Sequence, residues 1–298
     1  MPSGGERQPP ALLTALGFPD GRTPCQSPLQ RLFRHLDGDA LATMLAARIA
    51  PHAMPTTDLQ GVAIDGKAQR GRWRFPSMGC PIHALSAVCH GSGLVLAHEP
   101  ITATDDKAEA ELSVAPTLVG QITWYNRVLT GDALFGQRDL CEQVGAVGGA
   151  YLLLVKENQP ALHDAVRFLF DSPADLAVLP LLDRREVHSV ERGHGRTDER
   201  RHLIASTDLV DSLEWPGVAQ VFRLERTWRA HGQSHRAVHY GITSLTPTQA
   251  DATDLLALRR GHWTIENALP SSRCPPPTRA PGSSPCRPPL RCEVPGTA

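Results

Sequence analysis

Apolar residues near the start of the chain recur at helical spacing, and this spacing changes after residue 60. Between residues 28 and 50, apolar side chains recur every three or four positions, which predicts two helical pieces. Asp37, Gly38 and Asp39 separate the two pieces, and Asp39 is placed to cap the second one. From residue 61 onward, short apolar runs of strand length alternate with helical segments.

These apolar runs predict a sheet that is covered by helices. Strands are predicted at 61–65, 82–89, 93–99, 127–132 and 151–156, and helices at 107–118, 137–144 and 161–169. A turn at residues 90–92 separates the second strand from the third. Because strands alternate with helices, we expect an α/β fold with a largely parallel or mixed sheet and helices on its faces.

The pattern divides the chain into six parts. Residues after 183 form four strand-like runs with polar turns between them, and a single helical segment follows these runs. We assign a loose N-terminal arm to 1–27, a helical region to 28–56, an α/β core to 57–183, a β-rich insertion to 184–246, a final helix to 247–269 and a tail to 270–298.

The tail differs in composition from everything before it. Nine of its 29 residues are proline and three are cysteine, and it has no apolar period. We therefore expect a disordered tail that arises from out-of-frame translation or from a junction. Translating the other reading frames of the gene tests this origin, because the absence of a further helix downstream would count against a frameshift.

The composition excludes several classes of protein. With 298 residues and 41% apolar side chains the chain can bury a core, and its net charge of −1 leaves any polyanion site to a local patch. The seven cysteines form no CxxC pair, and the apolar runs are too short to cross a bilayer. We expect a cytoplasmic protein with no secretory leader and no membrane partner. Glycine-rich nucleotide loops and the GxSxG elbow are absent.

Two aspartates follow buried apolar runs, and each lies beside a glycine. Asp65 precedes Gly66, and Asp132 follows Gly131. Ligands bind at strand ends in open α/β sheets, and two neighbouring carboxylates can share hard divalent cations such as Mg²⁺. A third carboxylate from the final helix, Glu266, would complete a two-metal site. The alternative is that both aspartates are turn residues, since Asp-Gly is a common turn dipeptide.

Basic residues near these positions are candidate contacts to phosphate. They lie after strands, in the β-rich segment and on the final helix: Lys67, Arg70, Lys156, Arg196, Arg200, Arg260 and His262. Alternation along a strand would place arginines on one face, which suits contacts to a DNA backbone. A solvated surface position is the alternative for each of them.

Histidines suggest two further possibilities. Arg259, His262 and Glu266, at i, i+3 and i+7, share one face of the final helix and are candidates for a common functional site. The alternative is that this face carries only a surface ion pair. His194 and His202 are candidate metal ligands. No cysteine or histidine stands at zinc-like spacing from them along the chain, so the sequence disfavours a zinc site.

Five runs occur in an order that is typical of one family. They are Ala63-Ile64-Asp65-Gly66-Lys67, Gly131-Asp132-Ala133, Tyr151-Leu152-Leu153-Leu154-Val155-Lys156-Glu157-Asn158-Gln159, His194-Gly195-Arg196 and Arg260-Gly261-His262-Trp263-Thr264-Ile265-Glu266-Asn267. With these runs in this order, the chain resembles the insertion-sequence transposases of the ISAs type, a group in the DDE superfamily that includes the H-repeat-associated proteins. The resemblance covers roughly residues 10–269.

The resemblance implies an RNase H-like mixed sheet flanked by helices, with a β-rich insertion before the last helix. It implies Mg²⁺- or Mn²⁺-dependent cleavage of double-stranded DNA and strand transfer at the ends of a mobile element, and it allows a homodimer. Asp65 and Asp132 match the first two acids of the family, and Glu266 is our choice for the third. Asp198 or Glu199, beside the basic motif, is the rival third acid.

The chain departs from the family pattern after Glu266. Family members continue with a second histidine–tryptophan pair and a further helix, whereas here Ala268 and Leu269 lead into the proline-rich tail. Two alternative functions follow from this departure. One is a DNA-binding remnant without catalysis, and the other is a standalone metal-dependent nuclease.

We predict weak or no DNA cleavage by this chain, because without the helix that follows in family members the carboxylate of Glu266 is poorly held. Chemistry of this kind depends on ligands placed to within a fraction of an ångström. The measurement is cleavage, in the presence of Mg²⁺, of DNA that carries the end sequence of the element. Robust cleavage that the change Asp132→Ala abolishes would contradict the prediction.

Overall fold

The computed structural model describes residues 13–14, 17–18, 26–49, 54–74, 81–101, 107–171, 183–193, 196–208, 210–230, 233–263 and 265. The chain divides into two units, the first with residues 1–49 and 273–298 and the second with residues 50–272. Most of the predicted N-terminal arm and all of the predicted tail lie outside the described residues. Within the described ranges, no helix is long and apolar enough to cross a membrane.

The first unit contains the helices α1 (Gln26–His35) and α2 (Gly38–Ile49). Both lie where the apolar spacing predicted helices, but the cap between them differs from the prediction. The backbone N–H of Ala40 donates to Asp37 Oδ1 at 3.1 Å. Because α2 already starts at Gly38, the side chain that reaches the third N–H of the helix belongs to Asp37 and not to Asp39.

The second unit is built on one mixed sheet. Its elements in chain order are β1 (Gln60–Arg74), β2 (Pro81–Cys89), β3 (Val95–Ile101), α3 (Lys107–Gly120), β4 (Arg127–Gly131), α4 (Arg138–Ala146), β5 (Ala150–Val155), α5 (Pro160–Asp171), β6 (Arg185–Gly193), β7 (Arg196–Ser206), β8 (Gln220–Ala230), β9 (Gln233–Thr243) and α6 (Ala252–Gly261). The strands follow the order β3-β2-β1-β4-β5-β9-β8-β7-β6. β4 pairs parallel with β1 and β5, and the other neighbouring pairs are antiparallel. The predicted α/β class with a mixed sheet is confirmed.

Strand β1 continues well past the end of its apolar run. We expected the strand to end at Asp65, but it extends to Arg74. The reason is its antiparallel partner β2, which pairs with β1 from Val62 to Gln69. Parallel pairing with β4 stops earlier, at Ala63. Hydrogen bonds to β2 therefore keep a polar segment extended after the buried part of the strand ends.

Helices cover both faces of the sheet around the parallel strands. α3, α4 and α5 pack on the face that carries Ile64, Leu129 and Leu153. α6 packs on the opposite face, against Leu152 and Leu154. β5 is thus buried on both faces, which explains why its sequence is a continuous apolar run and not an alternating one.

The four strands predicted between residues 184 and 246 are present as β6–β9, and they extend the same sheet. β9 pairs with β5 between Tyr240 and Thr243 only. The earlier part of β9 continues beyond the C-terminal end of β5, where it pairs with β8. The β6–β9 strands therefore project past the carboxyl edge of the parallel strands.

Within the predicted final helix 247–269, the described residues show helix α6 between Ala252 and Gly261 and helical backbone again at Ile265. α6 begins after the N-cap Asp251, whose carboxylate accepts hydrogen bonds from the N–H groups of Thr253 and Asp254. It ends at Gly261, which packs against His90 so closely that a Cβ on residue 261 would overlap the imidazole ring. Tighter turns follow, since Ile265 N–H donates to the carbonyl of residue 262 at 3.3 Å.

Candidate active site

Asp65 and Asp132 lie side by side on neighbouring parallel strands. Ala63 is aligned with Thr130. Asp65 stands two residues further along β1, and Asp132 stands two residues after Thr130, directly after β4 ends at Gly131. Side chains two residues apart point to the same face of a sheet, and neighbouring strands are about 4.8 Å apart. In agreement with this proximity, the charge of Asp132 contributes to raising the pKa of Asp65.

The environment of Asp65 opposes its negative charge. Its pKa is raised to about 6, first by burial and then by the charges of Glu111 and Asp132, while Lys67 and Lys107 oppose the shift. Asp65 lies within β1, so the alternative that Asp65-Gly66 forms a turn is wrong. A carboxylate in such a place is stabilised by a bound cation, because desolvation and like charge both disfavour its ionised form.

The glycine after Asp65 makes room for a carboxylate that the sequence analysis missed. A Cβ at Gly66 would overlap the carboxylate of Glu111, which reaches the sheet from α3. Glu111 is only 4% exposed and forms an ion pair with Lys107 at 2.9 Å. Its position on an otherwise apolar helix face was the available signal, but the sequence does not show which strand that face meets.

Asp132 lies directly after β4, as predicted, and its side chain is exposed. Its Oδ1 accepts a hydrogen bond from the N–H of Leu134 at 3.2 Å and caps a short 3₁₀ turn at Ala133–Phe135. The turn interpretation is therefore correct for the local backbone of Asp132. The same hydrogen bond holds this carboxylate at the carboxyl edge of the sheet, beside Asp65.

The backbone that leads into Glu266 is fixed to β1. Lys67 Nζ donates to the carbonyl oxygen of Ile265 at 2.9 Å. The Ile265 side chain is buried against Ala63 and Val88, on the face that carries the two aspartates. Glu266 itself lies outside the described residues. Lys67, a predicted phosphate contact, therefore holds the end of the chain segment that precedes Glu266.

His262 points into the protein. Its Nδ1 lies 3.2 Å from the hydroxyl of Thr130, and His90 Nε2 lies 2.9 Å from the same hydroxyl. Burial, followed by the charge of Arg259, lowers the pKa of His262 to about 3 and that of His90 to about 4. Both rings are neutral at physiological pH. These contacts fit a positioning role for His262 better than the predicted contact with phosphate.

A basic pocket of about 210 Å³ adjoins Asp132. Its cationic lining residues lie directly after β5, on β7 and β8, and at the end of α6: Lys156, Arg201, Arg226, Arg259 and Arg260. Asp132 is the one carboxylate among the described residues of the lining. The pocket therefore has a positive potential, and it brings Lys156 and Arg260 into one lining with Asp132.

Two observations on neighbouring groups support this potential. The pKa of His239, which also lines the pocket, is lowered by burial and then by the charges of Arg259, Lys156 and Arg226. Arg259 Nη1 is buried and has no hydrogen-bond partner among the described residues. A buried guanidinium of this kind favours an anion as its partner, because an unpaired buried charge is costly.

The sequence alone does not reveal that Arg201 and Arg226 line the pocket, because it does not contain the strand register. The two residues are directly paired across β7 and β8. Arg226 also stacks over the rings of Trp228 and Trp263, with 5.3 Å to each centroid. Alternation with the buried Leu203 and Leu224 was the signal that could have placed both arginines on the α6 face.

Other predicted residues lie farther away or cannot be placed. Arg200 is exposed, and it points to the opposite face from its neighbour Arg201, so the structure does not bring it to the pocket. Arg70 and Arg196 lie on β1 and β7, but their side chains are outside the described part of the structure. The same holds for the side chains of Asp198 and Glu199.

The strand order bears on the choice of the third acid. Three strands (β5, β9 and β8) separate β7, which carries Asp198 and Glu199, from β4. Glu266, in contrast, directly follows a residue that is fixed to β1. This separation favours Glu266 over the rival acids.

Comparison with known proteins identifies the family. Residues 56–269 match the model of the transposase DDE domain. The chain belongs to the DDE-domain transposase family. It is 30% identical over 222 residues to "Putative transposase YncI" of Escherichia coli O157:H7, which covers 72% of this chain and 53% of the relative. It is 29% identical over 220 residues to "H repeat-associated putative transposase YhhI" of E. coli K12, which covers 71% and 55%.

The chain spans about half the length of these curated relatives. It also matches the E. coli K12 protein YbfL, with 29% identity over 222 residues, which covers 72% of this chain and 56% of YbfL. The family predicted from the five sequence runs is therefore confirmed. The region matched by the family model contains both aspartates, the basic pocket and Glu266.

The raised pKa of Asp65 predicts how stability depends on pH. The protonated form is favoured in the folded state, so its stabilising contribution is present below about pH 4 and is lost as the pH rises through about 6. Asp65→Asn resembles the protonated form. It should raise the free energy of unfolding at about pH 7.5 by roughly 1–2 kcal/mol, after allowance for partial exposure, and should have little effect at about pH 4.

Urea unfolding of metal-free protein at both pH values measures this effect, with the exposed Asp58→Asn as the control. Millimolar Mg²⁺ should stabilise the wild type and leave Asp65→Asn unchanged, because a ligand of the folded state adds to its stability. Equal stabilisation of both proteins by Mg²⁺ would show that Asp65 is not a metal ligand.

Proposed function

We propose that this chain is a DNA transposase in which Asp65, Asp132 and Glu266 hold divalent cations. The supporting observation is the parallel register of β1 and β4, which places the two aspartates next to each other on one face. The segment before Glu266 lies on the same face, fixed by Lys67. In this proposal, three acids that are far apart in sequence would act together at the carboxyl edge of the parallel strands.

The strand order supports an RNase H-like core. Its strands would be β3-β2-β1-β4-β5, in which β4 is parallel to β1 and β5 while β2 and β3 run antiparallel. The strands β6–β9 lie in sequence between α5 and α6 and would be the β-rich insertion. In this proposal the insertion supplies one wall of the site, since Arg201 and Arg226 line the basic pocket.

The available donors suit Mg²⁺ or Mn²⁺. Carboxylate oxygens are the ligands that these hard cations prefer. Burial and the charges of Glu111 and Asp132 disfavour the ionised form of Asp65, and a divalent cation would offset this cost. When bound, a pair of such ions activates the attacking water or 3′-hydroxyl and stabilises the leaving oxygen. Asp65 and Asp132 would hold them, together with Glu266.

The basic pocket would bind the DNA backbone beside these acids. Lys156 and Arg260 are exposed at its rim. Arg259 is half-buried in its wall, and its buried Nη1 has no hydrogen-bond partner within the described part of the chain. The positively charged side chains of the pocket, held next to the acids, would orient a phosphate towards Asp132 and neutralise part of the charge of the phosphate. The net charge of the chain is only −1, so this local patch and not the overall charge would attract DNA.

Neutral histidines would position the third acid. His262 and His90 share the hydroxyl of Thr130, which connects the end of α6 to β4 and β2. Lys67 fixes the carbonyl three residues further on. These contacts would restrict the backbone around Glu266 without adding charge at the histidines, because burial keeps both imidazoles unprotonated. Whether the protein acts as a homodimer stays a prediction.

The first test concerns DNA binding. Lys156→Gln and Arg260→Gln should each weaken binding to duplex DNA and reduce the slope of log affinity against log salt by about 0.9 for each phosphate that the variant no longer neutralises. The matched control is Arg229→Gln, an exposed change on β8 next to Trp228. Fluorescence anisotropy at several salt concentrations measures both quantities. Equal effects of all three changes would contradict a role for the pocket.

The second test concerns the reaction. DNA that ends in the terminal sequence of the element is incubated with excess protein in Mg²⁺, and both cleavage and strand transfer are followed. We expect slow cleavage at the element end that Asp65→Asn and Asp132→Asn abolish, while salt-sensitive DNA binding is retained. Both substitutions remove a ligand charge and keep the side-chain shape.

The outcomes separate the proposal from its alternatives. Binding that persists in EDTA, with no cleavage in Mg²⁺, would indicate a DNA-binding remnant. Cleavage without preference for the element end and without strand transfer would indicate a nuclease. Cleavage that survives both asparagine substitutions would show that the acids are wrongly assigned.

A further inference from the structure

A second group of metal-ligating side chains lies on the β6–β7 hairpin. Glu186 and His188 on β6 and His202 on β7 each offer one ligand atom, and these atoms all lie within 4.8 Å of one another. His188 is directly paired with His202 across the two strands. Their imidazole rings are stacked, with centroids 3.9 Å apart and an angle of 15° between the ring planes.

This group is separate from the proposed active site. Leu203 and Arg201 point to the α6 face of the sheet, so His202 between them points to the opposite face. The hairpin is also separated from β4 by three other strands. Neither Asp65 nor Asp132 can therefore share a cation with these histidines.

The ligand types favour a transition metal. Two imidazoles and one carboxylate are typical of Zn²⁺, whereas Mg²⁺ prefers oxygen ligands alone. Metal–ligand bonds of about 2.0–2.2 Å in a tetrahedral arrangement place the ligand atoms roughly 3.3–3.5 Å apart. His202 Nε2 lies 3.0 Å from Glu186 Oε2, so these two atoms need to separate only slightly to admit an ion.

The surroundings add one competing contact. Arg184 Nη2 donates to the same Glu186 oxygen at 3.1 Å. The side chains of Arg184 and Glu186 are 51% and 44% exposed, and exposed ion pairs contribute little to stability. An incoming metal ion would therefore displace the guanidinium at small cost.

We propose that Glu186, His188 and His202 bind one Zn²⁺ ion, with a fourth position left for water. The ion would cross-link β6 to β7. β6 is an edge strand of the sheet and is held there by β7, its neighbour among the described strands. The sequence disfavours His202 as a metal ligand, because no partner stands at zinc-like spacing from it along the chain. Antiparallel register supplies that partner, His188, from 14 positions earlier.

The test is a titration of the full chain with Zn²⁺, after treatment with a chelator and in the presence of excess Mg²⁺ to occupy the acidic site. Isothermal titration calorimetry should show one equivalent bound. His188→Ala and Glu186→Gln should each lower the affinity at least about tenfold, the size of effect that even supporting groups have at metal sites. His35→Ala, at an exposed histidine of α1, is the matched control and should bind like the wild type.

A spectroscopic readout identifies the ligands. With Cu²⁺ as the probe, electron paramagnetic resonance should show two imidazole nitrogens in the wild type and one in His188→Ala. Circular dichroism of the metal-free variants verifies that they fold, and the exposed Glu186→Gln serves as the second variant if the histidine change perturbs the hairpin. Equal Zn²⁺ binding by the wild type and both variants, or binding lost only with Asp65→Asn, would overturn the proposal. No DNA is needed, so the result does not depend on the proposed function.

Discussion

The parallel hydrogen bonding between β1 and β4 is the constraint on which the candidate site depends. It aligns Ala63 with Thr130 and so brings Asp65 and Asp132 to one face. Because side chains alternate along a strand, a shift of one residue in this pairing would send one aspartate to the opposite face. Burial of Val62, Ile64 and Leu129 under the helices of that opposite face opposes such a shift. The hydrophobic core thus determines the geometry of the acids.

The end of α6 depends on the same strands. His90 on the turn after β2, Thr130 on β4 and His262 after α6 are joined through one hydroxyl group. Gly261 permits this close approach, since a side chain there would overlap His90. Ile265 then fills a small apolar cluster on β1 and β2. The segment before the third acid is therefore held by packing and neutral hydrogen bonds, which suits a place already crowded with charges.

The two faces of the β6–β9 extension carry different chemistry. On the α6 face, Arg201 and Arg226 join the basic pocket beside Asp132. On the other face, Glu225 binds Arg223 and Arg236, and these ion pairs lower its pKa to about 2, mainly through the hydrogen bonds from Arg236. The histidine pair of the β6–β7 hairpin shares this second face. Strand alternation alone separates the two sets of side chains, so one extension can serve two roles.

The sequence by itself determined the α/β class, the positions of most strands and helices, and the family. These depend on local periodicity and on short runs, which a linear pattern contains. Glu111 beside Asp65, the arginine pair in the pocket and the inward-facing His262 were decided only by the tertiary structure. Each depends on strand register or on which helix face meets the sheet, and these follow from packing between segments far apart in the chain. For the same reason, the sequence does not reveal that His188 pairs with His202.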